Sequence, residues 1–152
     1  MQNFDVLRLK EQGAIFFKNI NEGLQYYQNE IKVMDAKEAY DYFQKKIAKY
    51  GEEYCFADFY YFSLPDKARK KIDRMLTERE RYYLNEIQPK GDRNENIIFS
   101  LEGELLQIIL KLNENEMLFS TIYLLQSQTN PRASYWGNYN REYVCFTDKE
   151  AI

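Results

Sequence analysis

Histidine is absent from all 152 residues of the chain. That removes Ser-His-Asp and Cys-His catalysis, the HExxH metalloprotease helix and every zinc site that needs an imidazole ligand. Cysteine is scarce: Cys55 and Cys145 are the whole supply, so a four-thiolate zinc site is excluded as well. The six glycines stand at positions 13, 23, 51, 91, 103 and 137. Their spacing gives neither GxGxxG nor GxxxxGK followed by Ser or Thr, so the familiar phosphate-cradling loops are missing. Long apolar runs are missing too. Lys111 and Asn113-Glu114-Asn115-Glu116 break the most hydrophobic stretch, Asn96 to Leu125, short of the roughly 18 apolar residues that span a bilayer. The opening MQNFDVLRLKEQG has no uninterrupted hydrophobic region and no small-residue cleavage site. The expectation is a cytoplasmic chain whose two thiols are free and buried in a reducing compartment.

Charge of one sign is also in short supply. The net charge is −3. Residues 1–88 carry 15 basic and 15 acidic side chains, while residues 89–152 carry 6 basic and 9 acidic, so the whole excess lies in the second half. Nucleic-acid binders show the opposite sign on their working surface. What is abundant is aromatic: 14 Tyr, 10 Phe and one Trp. A core of this size leaves several tyrosines at the surface, where a rigid ring with a polar tip suits an interface. A low-GC coding bias, visible also in the Asn, Lys and Ile content, is the plainer source of the same composition.

Hydrophobic periodicity divides the chain at a polar connection. Phe16, Ile20, Leu24, Tyr27 and Ile31 recur at helical spacing, with Gly23 as a weak point where Asn21 can restart the helix. Asp35-Ala36-Lys37-Glu38 has the form of a capping box, and the stripe through Ala39/Tyr40, Phe43, Ile47 and Tyr50 ends at Gly51. Residues 52–62 read as a short buried helix. Ser63 to Asp66 opens another, which runs to about Ile87. After the loop at 89–96 come short apolar runs with turn residues. Ile97–Leu101 is one strand. Residues 104–112 fit a strand or a helix, and the flanking Glu102-Gly103 and Asn-Glu repeats favour strand. Met117–Leu125 is a second strand, Trp136-Gly137-Asn138-Tyr139 a two-residue hairpin, and Tyr143–Thr147 the last strand. The predicted architecture is a single α+β domain over 1–152. About four N-terminal helices (1–88) pack on one face of a C-terminal antiparallel sheet (97–147) of four to five strands, joined by the 89–96 linker.

No catalytic constellation, metal-ligand set or cofactor motif emerges. Glu102/Glu104 and Glu114/Glu116 are spaced to share a strand face, but acidic residues at turns more simply keep those turns solvated. Lys67, Lys70, Lys71 and Arg74 form the one basic cluster, on a helix interleaved with Asp and Glu. The functional-looking stretch is the hairpin, with Tyr135, Trp136, Tyr139, Arg141 and Tyr143, the composition of an interface hot spot. With Glu114 and Glu116 these residues are the expected partner-binding set. The chain reads as a protein-binding module, most concretely an inhibitor of the immunity, antitoxin or phage anti-defence kind. Such a protein occludes a partner's active site, and the acidic side chains suit a basic, nuclease-like target. The alternative is a histidine-free enzyme or small-ligand binder with a pocket between helices and sheet. Nucleic-acid binding through the basic helix is the weakest reading.

Overall fold

The computed structural model describes residues 3–149. The chain is α+β, built on a seven-stranded antiparallel sheet. In chain order the elements are β1 (Asn3–Phe4), α1 (Val6–Glu11), α2 (Ile20–Tyr26), β2 (Gln28–Val33), α3 (Ala36–Tyr50), β3 (Cys55–Asp58), α4 (Asp66–Asp73), α5 (Glu78–Glu86), β4 (Ile98–Ser100), α6 (Gly103–Glu114), β5 (Thr121–Leu124), β6 (Ala133–Gly137) and β7 (Glu142–Thr147). The strands lie in the order β1-β4-β3-β5-β6-β7-β2. The two edges are thus the first two strands of the chain, and the five later strands fill the middle. Among the described residues, no helix is long and apolar enough to cross a membrane.

Strand alternation sends neighbouring side chains to opposite faces, and here both faces are covered. Ala57 of β3, Ile122 and Leu124 of β5, and Tyr135 of β6 join Phe43 of α3, Ile72 of α4, Leu84 of α5 and six buried residues of α6 in the main core. On the other face Phe56, Ile98 and Tyr123 meet Leu9 of α1, while Val144 and Phe146 meet Ile15 and Phe17 of the segment before α2. α1 and α2 therefore lie across the sheet from the other four helices, which corrects the expectation of helices on one face only.

Several boundaries also differ from the sequence reading, each for a local reason. Residues 104–112 are helical, not a strand: Glu102 occupies the N-cap position of α6, and Gly103 opens the helix instead of closing a hairpin. Apolar residues around most of α6 reflect its burial against sheet and neighbouring helices. Residues 55–58 are a strand, not a helix; all four are buried, and a strand covered on both faces loses its polar alternation. Thr77 accepts from the Glu80 amide while Glu80 reaches back to the Thr77 amide, and this capping box splits the expected single helix into α4 and α5. The helix expected through Ile31 stops at Tyr26, and residues 28–33 pair with β7. The β6–β7 connection is a four-residue loop at 138–141, with Asn140 and Arg141 at positive φ. By contrast α3 has its expected ends, the Asp35 side chain accepting from the Glu38 amide and Gly51 closing at φ 96.

Gly23 is where α2 touches the sheet. A Cβ there would lie 2.3 Å from the Phe17 ring and 2.7 Å from Phe146. The Phe17 ring is itself held between Tyr27 and Trp136, so it has little room to yield. Gly23→Ala is expected to lower stability by about 1–2 kcal/mol, as overpacking outweighs the gain in helix propensity. Urea unfolding checks this; a stabilised variant would mean that α2 floats free of the rings.

Candidate functional site

The helix–sheet interface is filled by the main apolar cluster. An aromatic-walled space lies on the opposite face, where β3 ends and β5 begins. A cleft of about 510 Å³ opens there, within the usual range for small-molecule sites. Phe16, Phe17, Lys18 and Ile20 form one wall, supplied by the segment that enters α2. Asp58, Thr121, Tyr123 and Trp136 line it from the sheet, together with Tyr60, Phe119, Ser120 and Asn138. Four segments distant in sequence meet here because β3, β5 and β6 are neighbours in the sheet.

Asp58 is the chemically distinctive member. It is 5% exposed and stands on the sheet face away from Ala57. One carboxyl oxygen accepts from the Thr121 amide at 2.8 Å, the other from the Tyr123 hydroxyl at 3.2 Å. Burial drives its pKa from 3.8 up to about 7, with those two hydrogen bonds pulling the other way. No cation pairs with it among the described ion pairs. Burial, with Asp58 nearby, also raises Tyr60 to about 12 and pushes Tyr123 well above the ordinary phenol value. Ser120, whose residue also lines the cleft, is 3% exposed. The Ser120 backbone is fixed on both sides, its amide donating to Asn113 Oδ1 at 3.1 Å and its carbonyl accepting from Gly137 at 3.2 Å. The arrangement can take a hydrogen-bond donor at Asp58 and hold a flat apolar body against Phe16 and Trp136. A carboxyl that titrates near neutrality also has the properties of a general acid or base.

The seven residues expected to bind a partner are separated by the strand pleat. Tyr135 and Tyr143 face the helix layer and are core, at 3% and 2% exposed. Tyr135 meets the Tyr42 hydroxyl at 2.8 Å and packs edge-on to Phe43. The Tyr143 hydroxyl accepts from Asn113 at 3.4 Å, and its ring also meets Phe43. Neither side chain offers a surface in this fold. Trp136 points the other way, stacked on Phe17 at 5.1 Å and lining the cleft. Tyr139 is exposed at the loop, edge-on to Phe119 at 4.9 Å. Arg141 lies 3.5 Å from Glu114, and Glu116 accepts from the Asn140 amide at 2.9 Å. Trp136, Tyr139, Arg141, Glu114 and Glu116 thus gather at one end of the molecule, beside the cleft. Glu102 accepts from Tyr83, and Glu104 pairs with Arg79, both away from it. Lys67, Lys70, Lys71 and Arg74 are exposed along α4 and take no part in the cleft. Cys55 and Cys145 are buried and free; burial lifts the Cys55 thiol to about 12 and raises Cys145 in the same direction, the opposite of an activated nucleophile.

Sequence reasoning missed Asp58, Ser120, Tyr60, Tyr123 and Lys18. One signal was available: Asp58 is the lone charged residue in the run from Tyr54 to Pro65, and a carboxylate in an otherwise buried run asks for a reason. No protein-family model, curated protein or solved structure matches the chain.

Proposed function

We propose that the chain binds a small ligand in the cleft, one with a flat apolar body and a cationic or N–H-bearing head directed at Asp58. The observation that carries this reading is a buried carboxyl that lines an aromatic-walled cleft with two hydrogen bonds and no cation among the described ion pairs. Burial opposes ionisation of that carboxyl, and a cationic or N–H donor at its remaining lone pairs offsets the cost. The reading includes a reducing, cytoplasmic setting, supported by two buried free thiols. Catalysis on such a ligand, with Asp58 as acid or base, is the natural extension.

Trp136 is the sole tryptophan and lines the cleft, so its fluorescence reports occupancy. Benzylamine, benzyl alcohol and benzoate share a ring and differ in the head. The expected order of affinity is benzylamine, then benzyl alcohol, then benzoate, and benzylamine should bind about tenfold more weakly at pH 5.5 than at pH 8, where Asp58 is ionised. Asp58→Asn should erase that pH dependence. Saturable binding by none of the three, or a preference for benzoate, would sink the proposal.

A second reading is favoured by the rim. Glu116, Asn140 and Arg141 are three of the four non-glycine residues at positive φ among those described, and strained backbone gathers where function needs it. With Tyr139 exposed among them, this rim suits a protein partner, and an inhibitor of a basic, nuclease-like enzyme remains the concrete form of that reading. Tyr139→Ala should then weaken partner capture without moving the thermal midpoint.

A further inference from the structure

The sheet ends on one side in a strand that nothing among the described residues closes. β2 is the last strand in the order, pairs only with β7, and five of its six residues are exposed. Natural sheets blunt such edges with proline, bulges, very short strands, edge charges or a covering element. Among the described residues β2 has only the charges, Glu30 and Lys32, and these are of opposite sign. On the side of the sheet that holds Val144 and Phe146 it presents Ile31, 58% exposed, and Val33, 64% exposed. Leu24 and Tyr26 of the adjoining α2 are exposed as well. These four make up half of the eight large apolar side chains left exposed among the described residues.

The direction of the free backbone groups follows from the pairing with β7. Met34 donates its amide to the Arg141 carbonyl at 3.0 Å, which continues the register that sets Lys32 opposite Tyr143 and Glu30 opposite Cys145. Facing residues in an antiparallel pair alternate between exchanging both hydrogen bonds and exchanging none. Gln28, Glu30, Lys32 and Met34 therefore bond inward to β7, while the amides and carbonyls of Asn29, Ile31 and Val33 point outward, unpaired.

We infer that β2 is a self-association edge, on which a second copy of this chain adds its own β2 antiparallel about a twofold axis at Ile31. The charges choose that register. A twofold pair must match outward-facing residues with one another. Centring on Ile31 sets Asn29 against Val33, Ile31 against itself, and Glu30 of each copy directly opposite Lys32 of the other. Within one chain Lys32 already lies 3.0 Å from Glu30, so the dimer closes a ring of four alternating charges. Sliding by one step in either direction instead places Glu30 opposite Glu30, or Lys32 opposite Lys32, and like charges facing across strands oppose pairing. The sequence QNEIKV is self-complementary in one antiparallel register, and that register also sets Ile31 of each copy against its counterpart at the axis, with Val33 on the diagonal. The two seven-stranded sheets become continuous, and the exposed ribbon is buried.

Sedimentation velocity of the intact chain, from micromolar to millimolar loading, tests this. The wild type is expected to shift from monomer to dimer with concentration. Ile31→Pro removes an outward amide that β7 does not use, a position where edge strands tolerate proline. It should abolish the dimer while leaving the circular dichroism and thermal midpoint of the monomer in place. Glu30→Lys and Lys32→Glu should each raise the dissociation constant about tenfold or more. Mixing the two variants should restore a dimer, as should the double exchange within one chain. A wild type that stays monomeric throughout, or a dimer indifferent to Ile31→Pro, overturns the proposal. Single reversals that the mixture fails to rescue overturn the register.

Discussion

Asp58→Asn is expected to make the protein more stable at pH 8 than the wild type, with the advantage vanishing near pH 4. The Asp58 carboxyl has a pKa of about 7 in the folded chain against 3.8 as its ordinary value. Below about pH 4 it is protonated in both states, and its neutral form sits in the sheet at no electrostatic cost. As pH rises toward about 7 the unfolded chain ionises it and the folded chain does not, so stability falls through that window and levels off above it. The gap amounts to about 4 kcal/mol as an upper bound. Asparagine keeps the oxygen that accepts from Thr121, and its amide can donate to the Tyr123 hydroxyl, so the hydrogen bonds at 2.8 and 3.2 Å survive in outline. Other carboxylates tilt the curve the other way: backbone bonds at the α3 N-terminus hold Asp35 low, Arg132 lowers Asp148, and the Thr77 amide and Lys111 lower Glu80. Their contributions grow with pH, but they are common to both proteins and cancel in the difference. Urea unfolding of both at a series of pH values measures it. Parallel curves would mean that Asp58 ionises freely, and the cleft would lose the feature that makes it a site.

The same residue marks the limit of what a single sequence discloses. Local rules were enough where capping residues frame a one-sided apolar stripe. α3 could be bounded from Asp35 and Gly51, and Thr77-x-x-Glu80 was a readable helix start that periodicity overrode. β5 and β7 carry β-branched and aromatic residues that favour strands. Local rules failed where partners are remote. β2 has polar side chains at four of its six positions and is a strand because β7, more than a hundred residues later, lies beside it. β3 and α6 are apolar on most sides because each is buried from several directions, which erases the period that separates strand from helix. The cleft needed the most remote information of all. Asp58, Ser120 and Trp136 meet only through the β3-β5-β6 adjacency, and Tyr135 could be assigned to the core only once its strand had a face.

Phe17→Ala is expected to open the cleft without unfolding the sheet. The ring is 6% exposed and is the hub of the smallest core cluster, stacked on Trp136 at 5.1 Å and on Tyr27 at 5.8 Å, and edge-on to Phe146 at 4.8 Å. Truncating a buried phenylalanine costs about 3–5 kcal/mol when the cavity cannot collapse. Here the cost should fall locally. Ile15, Val144 and Phe146 are the cluster's other buried members, and α2 is seven residues long, too short to persist without its contact. Residues 14–27 are therefore expected to leave the sheet face while the main core, with Phe43 at 0% exposure, stays folded. Such sub-global opening is the usual behaviour of a thin covering layer. Trp136 emission should shift to the red, amides of α2 should lose exchange protection while those of α3 and α6 keep theirs, and benzylamine binding should disappear. Phe43→Ala is the contrasting case. Its ring meets Tyr42, Tyr135 and Tyr143 in the helix–sheet core, so the loss should register in the global midpoint and in every element together. If Phe17→Ala also lowers protection uniformly, the segment over the cleft is part of one cooperative unit. A separable segment gives the cleft a wall that moves at a cost below that of unfolding, the property a binding site needs to admit a ligand to a carboxyl only 5% exposed.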